Sequence, residues 1–137
     1  MKKISVVFIS AFLLNLVWEN IHVLLYDNYM GGEITRFILF RASLADALMI
    51  TLIILPFIFL PLFKKYSFLI VVIGFVLSVF IEIWALNTAR WSYNDFMPTV
   101  PILSVGLTPI IQLGLLGFIS YKVQEYLSRP KHPLKIK

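Results

Sequence analysis

The chain contains no cysteine, which removes disulfides, thiolate metal sites and cysteine nucleophiles from consideration. Charge is scarce as well. Only 14% of the 137 residues are Asp, Glu, Lys or Arg, against about 25% in ordinary soluble domains. The sequence has no nucleophile elbow, phosphate-binding loop or zinc-protease helix, and no internal repeat. Its length suits one domain. What it does have is apolar: 60% of residues are hydrophobic and the mean hydropathy is +0.90. A soluble core of this size cannot hide so much apolar surface, so lipid is the expected solvent for most of it. The net charge of +5 would point to nucleic acid only if the basic residues formed a patch on a soluble fold. They flank apolar runs instead, so a nucleic-acid partner is not expected.

A membrane helix needs roughly 20 apolar residues. Four stretches qualify: Ile4 to Leu25, about Ser43 to Phe63, about Ser67 to Leu86 and about Ile102 to Tyr121. The expected fold class is therefore all-α, a polytopic membrane protein with four transmembrane helices in one domain over residues 1–127. Met1-Lys2-Lys3 before an apolar run imitates a signal peptide. The run is too long for a signal core and lacks a small-x-small cleavage site, so a retained first span is expected. Basic residues sit at Lys2 and Lys3, at Lys64 and Lys65, and in a tail at Lys122, Arg129, Lys131, Lys135 and Lys137. The other two loops are balanced, with Asp27 and Glu33 against Arg36 and Arg41, and Arg90 with Asp95. By the positive-inside rule both termini and the Lys64-Lys65 loop are cytoplasmic, in a cell (inner or plasma) membrane. The basic tail over residues 128–137 is read mainly as a topology signal. Pro56 and Pro61 in the second stretch, and Pro109 in the fourth, are candidate kinks.

The polar residues then fall at one depth. Glu19 lies fifteen residues beyond Ile4, roughly 22 Å up a core about 30 Å thick at 1.5 Å per residue. His22 is one turn higher, Asp46 stands near the start of the descending second helix, and Glu82 reaches a similar height on the third. Asn15, Glu19 and His22 share one helical face at i, i+4 and i+7. Ser78 and Glu82, and likewise Ser104, Thr108 and Gln112, continue the i, i+4 pattern. Charged side chains avoid lipid and face a bundle interior or a wet cavity. An interior polar pocket open to the outer side is expected, while the other half offers only weak groups such as Ser5, Ser10, Thr51 and Ser78.

Glu19, His22, Asp46 and Glu82 are the candidate catalytic residues. Paired carboxyl groups in a low-dielectric site can divide into proton donor and proton acceptor, and His22 can relay protons. Asn15, Trp18, Trp84, Asn87, Arg90, Thr108 and Gln112 are candidate substrate-binding residues. Glu19-x-x-His22 has the spacing used in di-iron bundles, which need two such motifs and two further glutamates. One motif supports at most a single divalent metal ion, on Glu19, His22, Asp46 and Glu82. The plainer alternative is a hydrogen-bonded network that locks helices together. For Arg90 the plainer alternative is a side chain reaching for interfacial water. For Trp91 and the tyrosines it is an aromatic belt.

The segment EIWALNTARWSYNDFMPTVPILSVGLTPIIQL (Glu82 to Leu113) carries a Glu, an Arg-Trp-x-Tyr, a Met-Pro and a Gly-Leu-x-Pro-x-x-Gln. Here these are Glu82, Arg90-Trp91-Ser92-Tyr93, Met97-Pro98 and Gly106 to Gln112. The block resembles one in small four-span prokaryotic integral membrane proteins of unassigned function, and Trp18-Glu19 and Asp46 fit the same pattern. The resemblance implies the four-span layout and no activity. The pairing of acids with tryptophan is also similar in kind, without a sequence match, to sterol-isomerase-type membrane enzymes. Three functions fit these residues. The first is a lipid- or isoprenoid-processing enzyme or lipid binder using carboxylate chemistry. The second is an ion, proton or metal-ion transporter. The third is a small structural or accessory subunit partnered by another membrane protein or by its own copies.

Overall fold

The computed structural model describes residues 2–129. The tail expected over 128–137 lies outside them from residue 130 onward. Helix α1 runs Lys2–His22 and adds a single 3-10 turn, Val23–Leu25. Strand β1 (Tyr26–Tyr29) leads to α2 (Arg36–Phe59), the short α3 (Pro61–Lys64) and α4 (Leu69–Asn87). Strands β2 (Trp91–Tyr93), β3 (Thr99–Val100) and β4 (Val105–Gly106) precede α5 (Leu107–Leu127). The chain is mostly helical. Three helices are long and apolar enough to cross a membrane, namely Lys2–Leu25, Arg36–Phe59 and Leu69–Asn87.

Local chemistry sets the boundaries, and several differ from expectation. Helix α2 starts at Arg36 rather than Ser43, because Thr35 Oγ1 accepts the Ile38 N–H at 3.3 Å and caps it. Pro56 is accommodated inside α2. The helix ends at Phe59 rather than Phe63, because Leu60 precedes Pro61 and is extended, and Pro61 opens α3. Helix α5 starts at Leu107 rather than Ile102. Residues 99–106 instead form the β3–β4 pair, with Thr99 opposite Gly106 and Val100 opposite Val105. Ser104, with φ +52°, turns the chain there, so it leaves the helical stripe expected with Thr108 and Gln112. Pro109 falls in the first turn of α5, where a missing N–H costs nothing, and no kink is needed.

The all-α expectation needs one structural addition, because β1 and β2 pair antiparallel. Tyr26 faces Tyr93, Asn28 faces Ser92 and Tyr29 faces Trp91. The chain reaches this pairing through a left-handed Ala89 (φ +53°). Arg90 N–H reaches Ala85 O at 2.8 Å and Ala89 N–H reaches Leu86 O at 3.2 Å, the double bond of a Schellman turn. That turn folds β2 back over the end of α4.

The long helices are inside-out by soluble standards. On α1, Ile9, Leu13, Val17 and Ile21 are all more than half exposed, while Asn15 is fully buried. The i, i+4 stripe that faces outward is thus apolar, the arrangement that lipid selects. Packing runs from α2 to α1, from α1 to α5 and from α5 to α4, whereas α4 and α2 meet only sparsely. The interior divides along its length. Ile50, Ile54, Phe57, Ile70 and Tyr121 fill the half nearer Lys64. Asn15, His22, Glu82 and Gln112 are buried in the other half.

Helices α4 and α5 touch backbone to backbone at Gly74 and Gly114. A Cβ on Gly74 would stand 2.4 Å from Gly114 N, closer than any side chain permits, and small residues of this kind draw membrane helices together. Gly74→Val is therefore expected to lower the unfolding midpoint in detergent, at a cost of about 1–3 kcal/mol. The exposed Ala45→Val should stay within about 0.5 kcal/mol of the parent. Near-ultraviolet circular dichroism melts would check both.

Candidate functional site

The polar residues meet around the amide of Gln112. Its Nε2 donates to Asn15 Oδ1 at 2.9 Å, to Glu19 Oε1 at 2.7 Å and to Asp46 Oδ2 at 2.9 Å. The nitrogen end of the amide thus faces all three oxygens. Two N–H hydrogens serve three oxygens, so Glu19 and Asp46 converge on one donor. Asn15 is held in place by its own Nδ2, which donates to Ala11 O at 2.8 Å. The spacing of Asn15 and Glu19 on α1 places both against α5, and Asp46 reaches in from α2.

Glu82 belongs to the same cavity with a separate set of donors. Trp91 Nε1 donates to its Oε2 at 3.2 Å, and Tyr93 Oη donates to the same oxygen. Tyr93 Oη in turn accepts the Gly106 N–H at 2.9 Å. Trp91 and Tyr93 stand two residues apart on β2, so they share one face of the strand, and the Schellman turn at Ala89 aims that face at Glu82. Both had been read as belt residues, and they are instead donors to a buried acid. A period-two aromatic pair after a tight turn was the available signal.

His22 faces a different partner. Its Nε2 lies 2.7 Å from Thr108 Oγ1, and Thr108 Oγ1 donates to Met97 Sδ at 3.2 Å. The Thr108 hydroxyl thus bridges the imidazole and the thioether. The imidazole is gripped edge-on by Trp18 at 5.9 Å and Tyr26 at 5.0 Å.

These groups line a cavity of about 140 Å³. Glu19, His22, Asp46, Glu82 and Gln112 all reach it, with Trp91 and Ser78. Ser78, read as a weak group of the opposite half, lies in the same wall one turn from Glu82. Ile38, Ala42 and Ile81 supply an apolar side on α2 and α4, the two helices that meet sparsely. Asn15 and Thr108 stand behind the lining and hold it. Trp18 packs on His22 without lining the cavity. Trp84, Asn87 and Arg90 lie elsewhere: Trp84 is 52% exposed, Asn87 is exposed, and Arg90 stacks on Trp84 at 5.1 Å. The helical phase of α4 explains this, because Glu82 and Ala85 turn inward and Trp84 and Asn87 turn away.

Among the described residues no group of three or more His, Asp or Glu side chains is placed to hold a metal ion. The Gln112 amide occupies the point where Glu19 and Asp46 converge, Glu82 is turned to β2, and His22 is turned to Thr108. No family model, no curated protein and no solved structure matches the chain.

Burial pushes the hydroxyl pKa of Tyr26 upward, with the nearby Glu82 adding to the effect. Burial raises that of Tyr93 too, reinforced by its bond to Glu82. A folded-state value above the unfolded one, about 10 for tyrosine, has a fixed sign. The stability from these two protons is complete below about pH 10 and is lost as pH rises through the folded values. Unfolding midpoints are expected to fall above about pH 10, and Tyr93→Phe should make that fall shallower. Chemical denaturation followed across the alkaline range would check it.

Proposed function

We propose that the chain is a four-span membrane protein, with α5 as the fourth span and both termini cytoplasmic, that binds an uncharged or cationic lipid or isoprenoid in the outer half of the bilayer and moves protons on it. The observation that carries this reading is the convergence of Glu19, Asp46 and Glu82, from three helices, on one cavity with an apolar opposite wall. The sparse seam between α2 and α4 supplies a lateral way in from the acyl chains, past Ile38, Ala42 and Ile81. No Lys or Arg lines the cavity among the described residues. Phosphorylated isoprenoids and anionic headgroups therefore find no counter-charge there, and Arg90 stacks on Trp84 outside the lining.

In this scheme Glu82 is the proton-transfer residue that meets the ligand, poised by Trp91 and Tyr93. The Glu19–Asp46 pair stores the exchangeable proton, and Gln112 keeps the pair in register. His22 positions the rim. The transporter reading needs polar groups through the whole thickness, and Ile50, Ile54, Phe57 and Ile70 occupy the other half. The accessory-subunit reading, with a protein partner or a second copy, draws support from the interhelical Gln112 network alone.

The test is recovery of bound ligand from protein purified in nanodiscs, followed by turnover of that ligand. Wild type is expected to retain an amphiphile above its share of the bulk lipid. Ala42→Phe, which fills the seam side, should lose it. Glu82→Gln should keep the ligand and lose turnover by about 10²–10⁴-fold, the usual weight of general acid–base catalysis. Bulk lipid composition in all three proteins, with no change on Glu82→Gln, would refute the proposal.

A further inference from the structure

The hydrogen bonds of the cavity do not balance, and the imbalance describes the missing ligand. The acceptor side holds the carboxyl groups of Glu19, Asp46 and Glu82. The donors that the protein supplies to them are the Gln112 amide, Trp91 Nε1 and Tyr93 Oη. The amide is already divided among three oxygens. Both donors to Glu82 go to Oε2, and among the described residues Oε1 takes none. Independently of the acids, Ser78 lines the cavity only 3% exposed, and its Oγ has no hydrogen-bond partner among the described residues. Buried polar groups are nearly always paired, so a free hydroxyl one helical turn from a half-used carboxyl group marks a place for a polar ligand, whose hydrogens the carboxyl groups and the serine oxygen can accept.

Resting on the proposed lipid-binding role of the same site, we infer that the ligand is a single-chain primary amine. Its protonated head would sit among Glu82 Oε1, Ser78 Oγ and the Glu19–Asp46 pair, with its hydrocarbon chain leaving between α2 and α4. An ammonium carries three N–H donors and no acceptor, which is the complement of this wall. Its positive charge meets three carboxyl groups and no basic side chain. The cavity of about 140 Å³ is close to the ~150 Å³ known to take a benzene. That is room for an amine and its first methylenes. Trp91 and Tyr26 line the site, and aromatic faces also attract ammonium groups. The apolar wall of Ile38, Ala42 and Ile81 accommodates the chain.

The experiment compares eight-carbon probes on the full-length protein in phosphocholine nanodiscs by isothermal titration. Octylamine is expected to bind at least tenfold more tightly than octanol and octyltrimethylammonium, and octanoate is expected not to bind. Ser78→Ala should weaken octylamine about tenfold and leave octanol unchanged. Ala42→Phe should abolish binding of both. If octanol equals octylamine and Ala42→Phe blocks both, the cavity stands as a lipid site and the amine assignment is wrong. If octyltrimethylammonium equals octylamine, charge alone is read and the donor count is wrong. If phosphoethanolamine nanodiscs suppress octylamine binding, a phospholipid headgroup is the ligand and the single-chain assignment falls. If no probe binds, the amine inference and the lipid-site reading fail together.

Discussion

One side-chain amide ties the helices of this protein together at a single level. Gln112 presents its nitrogen to Asn15 and Glu19 of α1 and to Asp46 of α2. In a lipid-facing protein there is no hydrophobic force to press helices together, so packing and interhelical hydrogen bonds carry more of the association. The same contact answers the question raised by acids in an apolar helix. Glu19 and Asp46 are tolerable there because each accepts from the Gln112 amide. Without the amide, two carboxyl groups would be buried side by side with too few hydrogens between them.

The second support comes from outside the long helices. The two connections at this end pair as β1 and β2, and that pairing lays Tyr93, Trp91 and Tyr26 over the third acid. Ala89, left-handed without being glycine, sits at the turn that directs β2 inward. The site is thus built from two layers. A helical layer supplies Glu19, Asp46, Gln112 and Ser78, and a loop layer supplies the donors to Glu82. The seam between α2 and α4 is left open because the strong contacts lie elsewhere, above all at the Gly74–Gly114 crossing.

How much of this was legible depended on which periodicity carried the residue. Asn15, Glu19 and His22 on α1, and Ser78 with Glu82 on α4, follow the helical repeat, and counting rise per residue placed the acids at one height. Gln112 was found by the same stripe. Ser104 was assigned to that stripe wrongly, because residues 99–106 form a paired turn before α5 begins. Trp84, Asn87 and Arg90 follow Glu82 closely in sequence. Neighbours on a helix point about 100° apart, and these three face away. Trp91 and Tyr93 follow the period of a strand three residues long, too short to recognise in a sequence dominated by helices.

The order of apolar runs, and the presence of acids inside them, are properties of the chain read alone. They follow from composition and from the fixed geometry of a helix, which needs no knowledge of neighbours. Which acid meets which donor, where a cavity is left, and which helices fail to touch are decided by tertiary packing. Those outcomes depend on rotation of each helix about its axis and on pairing between segments more than sixty residues apart, such as Asn28 and Ser92. Contacts that distant are set by the complementarity of whole surfaces, and local spacing carries no record of them.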